Sequence, residues 1–167
     1  EQLPALLTAA RIMGFAGLNI TYPCKQAVVP LLDELSPEAR AMGAVNTVVV
    51  RGGRLVGHNT DGSGWAWGFR RTLPDADLGC VALLGAGGAG SAIAHAVLRL
   101  GAARLRIVDS DAPRAQGLAG ALNTVYGAGK VQAFTEAAPA LQGATGLIHA
   151  TPTGMAKSPG MPLPEAL

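Results

Sequence analysis

The chain is 167 residues long, enough for one domain or two small ones around a buried core. It is 49% hydrophobic, 4% aromatic and 14% charged with a net charge of +2, and a charged fraction well below the usual ~25% points to extensive packed surface rather than disorder. No Lys/Arg run interleaved with aromatics supports a nucleic-acid partner, and no apolar stretch reaches the ~18 residues that a membrane span needs. Cys24 and Cys80 are too few to staple a domain, and the opening EQLPALL lacks a basic n-region, so a cytoplasmic protein is expected. His58, His95 and His149 lie far apart, and no metal site is expected.

In chain order, a helix is expected over 3–13 and a strand near 16–21, then a helical run over 24–35 that Pro30 should kink or interrupt. Ser36-Pro37-Glu38 reads as a helix start, with a serine cap, proline at the first position and an acid in the first turn; this helix ends at Gly43. Ala44 to Val50 is β-branched and strand-like, and Gly52-Gly53 turns it into a second strand over 54–58. Asn59-Thr60-Asp61-Gly62 opens a helix carrying Trp65, Trp67 and Phe69, and the turn-rich stretch 73–79 reads as a boundary.

Beyond that boundary the alternation is regular. Strands are expected over 80–85, 104–109, 130–134 and 145–150, with helices over 89–100, 112–123 and 135–142. Strands separated by helices of this length make βαβ units and a doubly wound parallel sheet.

Two places carry chemistry. Pro23 is suited to open a helix, which puts Lys25 in its first turn. The helix dipole disfavours a cation there by ~0.3–1 kcal/mol, so the ammonium needs a partner; alone, it reads as a solvated lysine. The second place is Gly85-Ala86-Gly87-Gly88-Ala89-Gly90, which ends the apolar strand CVALL and opens a helix. Gly85 makes the tight turn, Gly87 lets a pyrophosphate approach the backbone, and Gly90 lets helix and strand pack closely. Asp109, 24 residues after Gly85, is placed to accept the adenosine ribose hydroxyls and to repel a 2′-phosphate, which favours NAD over NADP. Asp111 adds negative charge, whereas Arg104, Arg106 and Arg114 leave a phosphate clamp open. Asp109-Ser110-Asp111 also reads as a helix cap. Thr151-Pro152-Thr153-Gly154-Met155 follows the last strand, where ligands gather in such sheets.

The segments GLNITYPCK, GAVNTVV, GHNTDGSGW, LLGAGGAG and ATPTGM, in this order, resemble the shikimate/quinate dehydrogenases across essentially the whole chain. The resemblance implies an α/β fold in two parts: an incomplete N-terminal substrate domain over 1–73 and a doubly wound Rossmann dinucleotide-binding domain over 74–167. It implies that Lys25 and Asp61 are the catalytic pair, that Thr21, Asn46 and Asp61 contact the hydroxyls of a cyclitol carboxylate, and that Asn19 shapes the pocket. Gly85, Ala86, Gly87, Gly88, Ala89, Gly90 and Asp109 would hold NAD, with Thr151 and Met155 bordering it. The implied reaction interconverts shikimate and 3-dehydroshikimate, or quinate and 3-dehydroquinate.

Three departures from the family pattern stand out. The Asn-Arg-Thr-like basic turn of NADP users is here Asp109-Ser110-Asp111, similar to the NAD-using, quinate-tolerant branch. His149 replaces the usual Asn before Ala-Thr-Pro, and no catalytic role is expected for it. The first strand, with its paired serines, has no counterpart before Glu1, and the C-terminal helix that supplies a substrate glutamine has none beyond Leu167, so a fragment is expected. The alternatives are a different Rossmann dehydrogenase or a non-catalytic dinucleotide-binding fragment.

Overall fold

Proline and capping residues set the early elements of the chain, whose computed structural model describes residues 2–164. Helix α1 (Leu3–Ile12) starts on Pro4, and strand β1 (Gly17–Asn19) follows. The expected helical run over 24–35 is three separate pieces. Helix α2 (Cys24–Ala27) stops where Pro30 lacks an N–H and its ring would crowd the carbonyl of Gln26; a 3-10 turn (Val29–Leu31) takes over. Strand β2 (Glu34–Leu35) then pairs in parallel with a strand twenty residues on. Around it, Asp33 N–H donates to Leu55 O at 3.0 Å and Ser36 N–H to Gly57 O at 2.8 Å.

Helix α3 (Pro37–Met42) has the expected ends: Ser36 Oγ accepts the Ala39 N–H at 3.2 Å, and Gly43 caps the C-terminus. Strand β3 (Thr47–Arg51) begins later than expected because residues 44 and 45 bond elsewhere: Ala44 to Ala39 O and Val45 to Lys25 O. Strand β4 (Arg54–His58) completes a sheet of order β1-β3-β4-β2, with β1, β3 and β4 antiparallel. Its core is Leu7, Ile20, Val28, Ala39, Val45, Val48 and Leu55.

The chain divides into two compact units, one up to Gly64 and one from Trp65. The division falls within helix α4 (Asp61–Thr72), whose Trp65 packs against the core of the second unit. In that unit β5 (Val81–Leu84), β6 (Leu105–Val108), β7 (Val131–Phe134) and β8 (Gly146–His149) form an all-parallel sheet of order β7-β6-β5-β8. Helices α5 (Gly88–Arg99), α6 (Ala112–Tyr126) and α7 (Ala137–Leu141) connect the strands. Side chains alternate between faces. Val81, Leu83, Leu105 and Ile107 cluster with residues of α5 and α6, whereas Leu84 and Val108 cluster with Ala140 of α7. The sheet is therefore doubly wound, and every residue of the interior strand β5 is buried, which is why it reads as a continuous apolar run.

Candidate functional site

In the first unit, hydrogen bonds gather polar side chains at one end of the β1-β3-β4 sheet. Lys25 Nζ lies 2.5 Å from Asp61 Oδ2, with the two side chains 19% and 27% exposed. Asn46 Nδ2 donates to the other carboxylate oxygen, Asp61 Oδ1, and to Thr60 Oγ1, each at 2.9 Å. Its Oδ1 accepts from the Thr60 N–H and the Thr47 hydroxyl, both at 3.0 Å. A backbone N–H can only donate, so these contacts fix which way the Asn46 amide points. The backbone supports the same grouping: Ile20 N–H donates to Asn46 O, Cys24 N–H to Thr21 O and Val45 N–H to Lys25 O. Thr21, Lys25, Asn46 and Asp61 are thus brought together. Asn19, paired with Thr47 on β1, is exposed beside them.

Helix α2 differs from the sequence expectation in a way that matters for Lys25. Pro23, preceded by a cis peptide bond, is the residue before the helix rather than its first member. The helix itself has four residues, so Lys25 stands in its first and its last turn at once. A single turn aligns too few peptide dipoles to oppose an ammonium strongly. What holds Lys25 is Asp61, not the helix.

Asn59 was not singled out by sequence reasoning, yet it organises the carboxylate. It is 5% exposed, its Nδ2 donates to Ala44 O at 2.9 Å, and its Oδ1 accepts the Asp61 N–H at 3.0 Å. A buried amide must be paired on both sides, so Asn59 ties the start of α4 to the loop before β3. The signal was present as the first letter of Asn-Thr-Asp-Gly.

In the second unit, β5 runs into Gly85 at φ +99°, a left-handed conformation that side chains resist. A Cβ on Gly85 would also come within 2.8 Å of Ala150 O and 3.1 Å of Thr151 Cγ2, so the glycine turn and the loop after β8 are neighbours. A Cβ on Gly90 would collide with Gly85 O, as the close helix–strand approach expected there requires. Gly87 caps α5 with no side-chain hydrogen bond to the helix end, and the N–H groups of the first turn, Gly88 and Ala89 among them, have no partner within the helix. Asp109, just after β6, accepts the Ala86 N–H on Oδ2 at 2.8 Å. Arg114 lies 3.4 Å from Asp109 and 2.8 Å from Asp111. Arg106 is unavailable as a phosphate clamp, because its Nη1 donates to Ala140 O and Gln142 O at the end of α7.

After β8, Thr151 Oγ1 accepts the Thr153 N–H and lies 2.6 Å from His149 Nε2, so the histidine serves the loop. Met155 is further out, half exposed and bridged to Ser158. Among the described residues, no group of three or more His, Cys, Asp or Glu is placed to hold a metal ion, and no helix is long and apolar enough to cross a membrane.

A parallel sheet ordered β7-β6-β5-β8, a glycine turn after its interior strand and an acid after the next define a Rossmann-type unit, in a chain whose other unit bears a lysine–carboxylate pair. Known proteins resemble the chain in sequence and fold. The family described as the shikimate dehydrogenase substrate binding domain matches residues 1–48. A Streptomyces avermitilis protein named shikimate dehydrogenase (NADP(+)) is 55% identical over 169 residues, covering 100% of this chain and 58% of that protein. A Corynebacterium efficiens quinate/shikimate dehydrogenase (NAD(+)) is 48% identical, covering 96% of this chain and 57% of its own length. Among solved structures, the quinate dehydrogenase from Corynebacterium glutamicum in complex with NAD superposes with a TM-score of 0.85 at 45% identity, covering 97% of this chain and 58% of that one. The chain belongs to the shikimate/quinate dehydrogenase family, and it spans less than three fifths of the length of these relatives.

Proposed function

We propose that the protein containing this chain is an oxidoreductase that interconverts shikimate and 3-dehydroshikimate, quinate and 3-dehydroquinate, or both, with Lys25 and Asp61 as its catalytic pair. The observation that carries this reading is the Lys25–Asp61 contact, braced by Asn46 and Asn59. In reduction the Lys25 ammonium gives a proton to the carbonyl oxygen; in oxidation the neutral amine takes the proton of the secondary hydroxyl. Asp61 orients the lysine through Oδ2, while Asn46 holds Oδ1. Thr21, Asn46 and Asp61 contact ring hydroxyls of a cyclitol carboxylate and Asn19 shapes the pocket; the Asn46 amide, with both donors and both acceptor sites engaged in the chain, exchanges its bond to the Thr60 or Thr47 hydroxyl for one to the substrate. The dinucleotide, when bound, takes up or returns the hydride.

The substrate part is residues 1–73, which keeps α4 whole with Asp61 in its first turn, and the nucleotide part is 74–167. There Gly85, Ala86, Gly87, Gly88, Ala89 and Gly90 cradle the pyrophosphate, and Thr151 and Met155 border the ring. We assign NAD as the cofactor because Asp109 and Asp111 put two carboxylates after β6, where the dinucleotide-binding pattern expects the adenosine ribose and where they would repel a 2′-phosphate; both engage Arg114. The NADP reading is favoured by the name of the Streptomyces relative. Steady-state kcat/KM for each substrate with NAD and NADP decides between them, and a preference for NADP refutes the role given to Asp109. For the chemistry, Lys25→Ala should cut kcat by at least about a hundredfold, the usual scale for loss of a general acid–base, while dinucleotide affinity holds. An unchanged kcat removes Lys25 from the reaction.

A further inference from the structure

Both oxygens of Asp109 are engaged within the chain. Oδ2 accepts the N–H of Ala86 at 2.8 Å, and Oδ1 accepts the N–H of Asp111 at 2.9 Å. The guanidinium of Arg114 stands 3.4 Å from Oδ1, and the Asp109 side chain is only 10% exposed. Ala86 is itself buried, the second residue of the glycine turn, between the left-handed Gly85 and the helix cap Gly87. A buried N–H needs a partner, and here it comes from a side chain at the end of the neighbouring strand.

We propose that Asp109 is a positioning residue that latches the glycine turn against the end of β6, in addition to any contact it makes with a ribose. This rests on the reading of the second unit as a dinucleotide site. The latch holds Ala86 in place and thereby fixes Gly87 and the start of α5, the part of the turn that meets a pyrophosphate. A carboxylate suits this task because it offers two acceptor oxygens to two backbone donors and a charge to Arg114. Asparagine keeps one acceptor and turns its NH2 toward an N–H or toward the guanidinium. A change at Asp109 designed to admit a 2′-phosphate therefore also loosens the turn and weakens the binding of every dinucleotide.

The test uses Asp109→Ala and Asp109→Asn with two readouts. In the ligand-free protein, amide hydrogen exchange at Ala86 followed by NMR should speed up on the order of tenfold or more in Asp109→Ala, the scale of losing a hydrogen bond to a charged acceptor, and by roughly two- to fivefold in Asp109→Asn, whose one neutral acceptor is weaker than a carboxylate. Calorimetric titration should show the affinity for the adenosine 2′,3′-dideoxy analogue of NAD, which has no hydroxyl for Asp109 to read, falling by about tenfold as well. Unchanged Ala86 exchange and unchanged affinity for the dideoxy analogue would overturn the latch and leave Asp109 a reader of ribose only. Asp109→Asn keeps the side-chain volume and carries the decision if Asp109→Ala does not fold. Wild-type protein that binds neither NAD nor NADP would refute the proposed function, and the exchange measurement would still decide the latch.

Discussion

Gly87→Ala separates what the fold requires from what a bound phosphate requires. Gly87 caps α5 at φ −74° and ψ −169°, a conformation open to any residue. A Cβ built there meets no heavy atom within 4 Å. Two small terms set the stability change. Alanine is a poorer N-cap than glycine by roughly 0.5–1 kcal/mol. It also narrows the unfolded ensemble, which stabilises by about 0.4–1 kcal/mol. The two nearly cancel, so the melting midpoint should move by no more than about 2 °C in a chain of this size. Binding is different: under the proposed assignment of the turn, the added methyl would stand where a pyrophosphate approaches the backbone. A forced close contact costs ~1–3 kcal/mol, which is about five- to hundredfold in Kd. Differential scanning calorimetry and an NADH fluorescence titration on the same samples give both numbers. A midpoint lowered by more than about 5 °C would mean that the fold needs this glycine. An unchanged Kd would show that no phosphate comes near it, and the assignment of the turn would fail.

Gly90→Ala should behave in the opposite way, because its Cβ would run into the backbone carbonyl of Gly85, and neither strand nor helix can yield cheaply. A loss of ~2–3 kcal/mol is expected, seen as a melting midpoint lower by roughly 4–10 °C, and a wild-type midpoint would show slack between β5 and α5. Asn59→Ala leaves Ala44 O and the Asp61 N–H without their partners. Urea unfolding should report a loss of about 2–3 kcal/mol, and kcat should fall while dinucleotide affinity is kept; loss of stability with full turnover would show that Asp61 does not depend on Asn59 for its position.

Local grammar made part of this architecture readable in advance, and long-range pairing hid the rest. Ser36, Pro37 and Gly43 delimit α3 by chemistry contained within eight residues, and the glycine turn announces itself between an apolar strand and a helix. No local rule places Glu34–Leu35 beside Val56–Gly57, because that pairing exists only once β4 has folded back on β3. The same holds for the second role of Asp109, whose partner Ala86 lies 23 residues away. Lys25 shows the limit most sharply. Local reasoning found an ammonium at a helix start and set the dipole against it, but the helix is one turn long and the dipole argument falls away with it. The residue that accounts for Lys25 is Asp61, 36 positions along the chain, and it arrives there because Asn46 and Asn59 fasten the start of α4 to the loops before β3. The pairing of the lysine is thus a property of strand register and of the loops that meet it. Substitutions at Asn46 and Asn59 should therefore disturb it more than any change within α2 that spares Lys25.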